Sequence, residues 1–132
     1  MDSLRGKVAI VGSADTEVGI IPNMGATELC VDAICRSLKD AGITKDQVDG
    51  LITCNSMTEP YMYHAETIAE YVQISPSYCM SIGAGGGTTF AALHHAASAI
   101  ATGVCETVVI AMADRLRSGL SRDQAMLMQS SS

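Results

Sequence analysis

The stretch "SIGAGGGTTFAALHHAASAIATGVCETVVIAM", residues 81–112, decides how the rest of the chain is read. A short apolar run meets a cluster of glycines between Gly83 and Gly87, then a segment at helical spacing closed by Gly103, then the β-branched run Thr107–Met112. Glycine has no Cβ, so backbone built from it can take positive φ and let another group come very close. The helical segment carries alanine at 91, 92, 96, 97, 99 and 101, which makes it thin and apolar almost all round. A helix of that kind is expected between other layers of structure. Strand, helix and strand in this order imply a right-handed crossover and parallel pairing.

Working outward, the same alternation recurs. Lys7 to Gly12, KVAIVG, is a short β-branched run closed by glycine and reads as a fully buried strand. From Ala26, the positions Leu29, Cys30, Ala33, Ile34, Leu38 and Ala41 repeat at helical spacing, with Glu28 in the first turn, Lys39 in the last and Gly42 as the stop. Thr44 to Asp49 is a polar turn, and Gly50–Cys54 is a second strand. His64 to Val72 gives a shorter helix, and Tyr78–Ile82 a third strand. Thr88 or Thr89 is expected to cap the alanine-rich helix, which runs to about Thr102. Thr107 to Met112 is the fourth strand.

The fold class is therefore α/β, a mainly parallel, mixed sheet covered by helices on both faces, with the alanine-rich helix buried at its centre. One domain spans residues 1–132, its end from 113 to 132 a loop or a short helix with a capping box in Ser121 and Gln124. The sheet lacks a closing strand, and an apolar edge left open calls for a covering partner.

Composition narrows the function. The chain of 132 residues is 48% hydrophobic with a formal net charge of -6 and only 8 lysines and arginines, which disfavours nucleic acid or an anionic membrane as a partner. Its N-terminus has too short an apolar run for a signal peptide, and no window approaches the roughly 20 apolar residues of a spanning helix. Cys30, Cys35, Cys54, Cys79 and Cys105 are odd in number, make no C-x-x-C pair and read as reduced core thiols in a cytoplasmic protein. They show no metal-ligand spacing. The glycines fail the dinucleotide fingerprint, because the sixth position is Thr88 counted from Gly83 and Phe90 counted from Gly85. No phosphate-binding G-x-x-x-x-G-K-[ST] is present. What remains at the glycines is a helix N-terminus, whose free N–H groups and dipole suit an anion, a carbonyl or a thioester oxygen.

Three passages carry a resemblance. "VAIVGSADTEVG", "ATELCVDAICRSLKDAGITKDQVDGLI" and "GGGTTFAALHHAASAIATGVCETVVIAMADRLRSG" resemble, in order and spacing, the N-terminal half of a thiolase-like protein, with the lipid-transfer-protein (sterol-carrier) thiolases nearest. The resemblance implies carbon–carbon bond chemistry on a coenzyme A thioester as substrate, with no bound cofactor. It also implies a tight homo- or heterodimer and completion of the site by the C-terminal half of the fold or a second chain.

In that family a cysteine at the start of the buried helix takes up the acyl group, its pKa lowered by the helix dipole. The family pattern places that cysteine at Gly86, with Gly87 and Thr88 on the small positions that follow and Thr89 where a glycine is expected. The nucleophile is thus absent, and Gly85, Gly86, Gly87 and Thr88 are left as a bed for an acyl thioester. Cys79, on the strand, reads as a core thiol. His94 and His95 read as packing or hydrogen-bonded helix residues, His64 as solvated, and Asp114 with Arg115 as a solvated pair at the strand end. Some thiolase-like proteins without the cysteine resemble retro-aldolases that use tyrosines, but those lie in the C-terminal half. Tyr61 and Tyr63 here read as loop and interface packing. Two functions follow: an acyl-CoA enzyme of thiolase or retro-aldolase type, inactive as this chain alone, or a non-catalytic assembly partner.

Overall fold

The computed structural model describes residues 4–16, 24–54, 64–83 and 87–113. Its elements are α1 (Ala26–Ala41), a single 3-10 turn at Lys45–Gln47, β1 (Gly50–Cys54), α2 (His64–Val72), β2 (Tyr78–Ile82), α3 (Thr88–Ala101) and β3 (Val108–Ala111). The strands pair in the order β2-β1-β3, all parallel, with Gly50 opposite both Tyr78 and Val108.

The period of the strands sorts the core into two layers. Leu51, Val109 and Ala111 face α1 and α2 and pack with Cys30, Ile34, Leu38, Ile68, Ala69 and Val72. Ile52, Met80, Val108 and Ile110 turn the other way, against Ala92 and Ala96 of α3. Because β1 is central and covered on both sides, Gly50, Leu51, Ile52 and Thr53 are all buried, which explains its unbroken apolar sequence. The α/β class and both-face coverage follow from that arrangement.

All three helices stop by the same backbone closure. At α1, Gly42 lies at φ 71° and Ile43 N–H reaches Leu38 O at 3.1 Å. At α3, Gly103 lies at φ 80° and Val104 N–H reaches Ala99 O at 2.9 Å. At α2 the left-handed position is taken by Gln73, φ 64°, with Ile74 N–H to Ala69 O at 3.0 Å. Each is a left-handed residue after the last turn with a long hydrogen bond back over it.

Two expectations are corrected here. The run Lys7–Gly12 is not a strand of the sheet among the described residues; only its Gly12 end is placed against α1, with Ile10 75% and Val11 66% exposed. Its contact with α1 is close, since a Cβ on Gly12 would sit 2.7 Å from the Ala41 Cβ and 2.8 Å from the Ser37 carbonyl, and Ser13 N–H bonds Asp40 at 3.0 Å. A β-branched run forms a strand only where a neighbouring edge pairs with it. The second concerns α3, which buries Thr88, Ala92, Ala96 and Ala99 on the sheet but turns Phe90, 77% exposed, and Leu93 outward. Its low amphipathicity is that of a helix with apolar residues on two faces, one of which meets this sheet.

Candidate functional site

The chain order carries the start of α3 to the carboxyl end of the sheet. From β1 the chain crosses through α2 to β2 on one side, then through α3 past β1 to β3 on the other. Ligands of parallel sheets commonly bind at the carboxyl ends of the strands. The start of α3 lies at that end of the sheet, where Thr89 Oγ1 approaches Met112 Sδ at 3.6 Å.

Gly87 is the residue before the first turn of α3, at φ -88° and ψ 3°. No side chain caps the helix, which corrects the expectation of a Thr88 or Thr89 cap; Thr88 is instead the first helical residue and 5% exposed. A Cβ placed on Gly83 or on Gly87 would meet nothing within 4 Å. The bend is therefore open at both described glycines. Gly85 and Gly86, the other two residues of the expected bed, lie outside the described residues, as do Tyr61, Tyr63, Asp114 and Arg115.

Polar side chains gather under this end of the sheet on the α2 face. The Ser81 hydroxyl accepts the Ala65 N–H at 2.9 Å, holding the first turn of α2 to β2, and lies 3.4 Å from the hydroxyl of Thr53, which is fully buried. His64, the residue that opens α2, is 2% exposed. That corrects its reading as solvated: the first turn of α2 is held directly against β2. Conversely, His94 and His95, read as packed or hydrogen-bonded, stand exposed on α3 with their rings 6.4 Å apart, edge to face. Spacing missed the pair of Thr53 and Ser81 because they are 28 residues apart and meet only through the register of β1 and β2.

Three of the thiols sit where burial disfavours the thiolate. All five cysteines are free, with Cys30 and Cys105 buried, Cys54 and Cys79 half-buried, and Cys35 exposed, against its reading as a core residue. Burial pushes Cys30 up to about 11. Cys79 is raised by burial and then by the charge of Glu66, and Cys105 by burial and then by Asp49. A raised pKa keeps each as a thiol at neutral pH, the opposite of what an acyl-accepting cysteine requires. Among the described residues no three His, Cys, Asp or Glu side chains come together as a metal site. Nor, among them, is any helix long and apolar enough to cross a membrane.

Comparison with known proteins fits this architecture. The chain is 36% identical over 119 residues to 17-hydroxy-3-oxo-4-pregnene-20-carboxyl-CoA lyase of Mycobacterium tuberculosis, covering 89% of the chain and 30% of the lyase. It is 32% identical over 122 residues to a steroid side-chain-cleaving aldolase of Thermomonospora curvata, covering 91% and 30%. Among solved structures, an Ltp2-ChsH2(DUF35) aldolase superposes with a TM-score of 0.74 at 28% identity, over 92% of this chain and 32% of that one. The chain is related to thiolase-like enzymes. A 3-oxoacyl-[acyl-carrier-protein] synthase III from Aquifex aeolicus, 20% identical with a TM-score of 0.67 over 85% of this chain and 38% of that one, shares the thiolase-like fold. No family model matches. This chain spans about 30% of the length of the curated relatives it matches.

Proposed function

We propose that this chain is the part of a thiolase-like enzyme that seats a coenzyme A thioester while a carbon–carbon bond beside it is broken, in the manner of a retro-aldolase acting on a CoA-linked steroid side chain. The observation that carries this reading is the likeness, over nine-tenths of the chain, to a CoA-ester lyase and a side-chain-cleaving aldolase.

In a retro-aldol cleavage a base takes the proton of the β-hydroxyl, the bond between the α and β carbons breaks to leave a ketone, and its electron pair passes into the thioester as an enolate, which is then protonated at carbon. No acyl group passes to the protein. The bed of Gly85, Gly86, Gly87 and Thr88 at the start of α3 would hold the thioester oxygen as charge gathers on it, by N–H donation and the helix dipole. Glycine at Gly86, on the position of the family's nucleophile, suits a reaction that forms no acyl-enzyme. The base and the rest of the pocket come from polypeptide outside this chain, either the remaining part of the fold or a second chain, in a homo- or heterodimer. The solved aldolase, named for Ltp2 and ChsH2(DUF35), makes a DUF35 protein the first partner to try. Free thiols accord with a cytoplasmic setting.

The test incubates the chain, alone and combined with the unmatched part of the Mycobacterium tuberculosis lyase, with a β-hydroxy steroid acyl-CoA. Products are followed by mass spectrometry. Ketone and shortened acyl-CoA are expected only from the combination, with no mass added to this chain, while a Gly86→Cys variant acquires an acyl group from acetyl-CoA. Stable acylation of the unaltered chain would overturn a reaction without an acyl-enzyme, and an inactive combination that binds no acyl-CoA would favour the non-catalytic partner instead.

A further inference from the structure

The last two residues of β2 are held on opposite faces of the sheet. Side chains alternate along a strand, so Ile82 packs with Tyr78 and Met80 on the layer of Ala92 and Ala96, while Ser81 turns to the α2 face. There its hydroxyl accepts the Ala65 N–H at 2.9 Å and lies 3.4 Å from the Thr53 hydroxyl. Ala65 is the second residue of α2, so its N–H is among those that a helix cannot satisfy from within. Ala65 and Thr53 are both fully buried, which leaves neither group water as a substitute. Leu51, Val109 and Ala111 make the rest of this face apolar, and packing alone gives no reason for two hydroxyls to meet on it.

The chain leaves the sheet at Gly83, directly after Ile82. Gly83 cannot fix its own position through a side chain, and a Cβ there would meet nothing within 4 Å. The point from which the glycine segment departs is therefore set by Ser81 and Ile82. We infer that Ser81 is a positioning residue for the thioester bed: by holding the first turn of α2 it fixes the end of β2 from which the bed leads to α3. The inference rests on the reading of that segment as a seat for a thioester, and adds to it a residue that acts without touching substrate. Backbone donors stabilise a developing oxyanion only when they are held where the charge forms. Slack at the point of departure therefore weakens binding without removing any contact to the ligand.

The combination of this chain with the unmatched part of the Mycobacterium tuberculosis lyase tests it, with a β-hydroxy steroid acyl-CoA as the probe and its Kd read by calorimetry. Ser81→Ala should weaken binding about fivefold per folded molecule, and Ser81→Thr, which keeps the hydroxyl, should restore it. Asp49→Asn, altered at the amino ends of the strands, should lower Tm and leave Kd unchanged, which separates positioning from loss of stability. Linkage supplies a second readout that needs no variant: saturating acyl-CoA should slow amide exchange at Ala65 about fivefold more than at Ile68 in the same helix. In Ser81→Ala that excess should vanish. Equal Kd for wild type and Ser81→Ala, or no excess slowing at Ala65 in the wild type, would overturn the role of Ser81 alone. A wild-type combination that binds no acyl-CoA would overturn the bed, and this inference with it.

Discussion

The carboxylate of Asp49 accepts the backbone N–H of Thr107 at 2.8 Å, tying the residue before β1 to the residue before β3 across 58 positions of sequence. The same carboxylate takes the Glu106 N–H at 2.9 and 3.0 Å, and the Asp49 carbonyl takes Ser77 and Tyr78 on the β2 side. One residue thus sets the amino ends of all three strands. Charge-assisted bonds of this kind are stronger than neutral ones. Asp49→Ala should lower unfolding stability by about 2–3 kcal/mol and Asp49→Asn, which keeps one acceptor oxygen, by about 1. Urea unfolding should show a lower midpoint with an unchanged slope.

Gln73 offers the reverse experiment. It holds a left-handed conformation, φ 64°, that costs a side-chain-bearing residue about 1–2 kcal/mol and glycine little. Its amide oxygen accepts from Lys45 Nζ at 3.1 Å, an exposed contact of small value. Gln73→Gly should therefore stabilise the chain by about 0.5–1 kcal/mol after glycine's greater unfolded freedom is counted. A rise in Tm checks it; no rise would mean that the Lys45 contact outweighs the strain.

These two residues mark how far sequence carries. Gly42 and Gly103 announce their helix ends because glycine is the usual left-handed residue, whereas the equivalent closure at Gln73 has no such signal. Gly50–Cys54, Tyr78–Ile82 and His64–Val72 are visible from periodicity because burial on defined faces dictates it. Lys7–Gly12 has the composition of a strand, yet composition cannot show whether its pairing edge is present. At the site, the open glycine bend could be read from Gly83 and Gly87, but not the burial of His64 or the meeting of Thr53 with Ser81. Those depend on register between strands, which spacing along the chain does not encode.

Alkaline pH should unfold the chain through Cys30. Its ordinary pKa is 9.0, and burial raises the folded value to about 11. A raised folded pKa means stability is fully present below pH 9 and falls as pH climbs toward 11, because the unfolded chain ionises first. Cys79 and Cys105 are shifted in the same direction and add to the fall. The Cys30 share is about 2 kcal/mol. Cys30→Ala should begin less stable at pH 7 and lose less between pH 8 and 11, as followed by denaturant midpoints. In the native state iodoacetamide should label exposed Cys35 well before Cys30, with the sites read by peptide mass mapping.

The two glycines that face different surroundings separate architecture from site. A Cβ on Gly50 would lie 2.9 Å from the Val108 Cγ2 and 3.2 Å from the Cys105 Sγ, against a stiff β-branched side chain in a packed layer. Gly50→Ala should cost about 1–3 kcal/mol by overpacking. At Gly87 the same methyl meets nothing within 4 Å, and φ -88° with ψ 3° is open to any residue, so Gly87→Ala should change stability by less than about 1 kcal/mol. If the start of α3 holds a thioester, that methyl intrudes on the ligand rather than on the protein. In the combination assayed for cleavage, Gly87→Ala should weaken acyl-CoA binding about tenfold, equivalent to ~1.4 kcal/mol, with its Tm nearly unchanged. Gly50→Ala should lower Tm and leave binding by the folded fraction as it was. Equal binding by wild type and Gly87→Ala would move the thioester away from the α3 N-terminus.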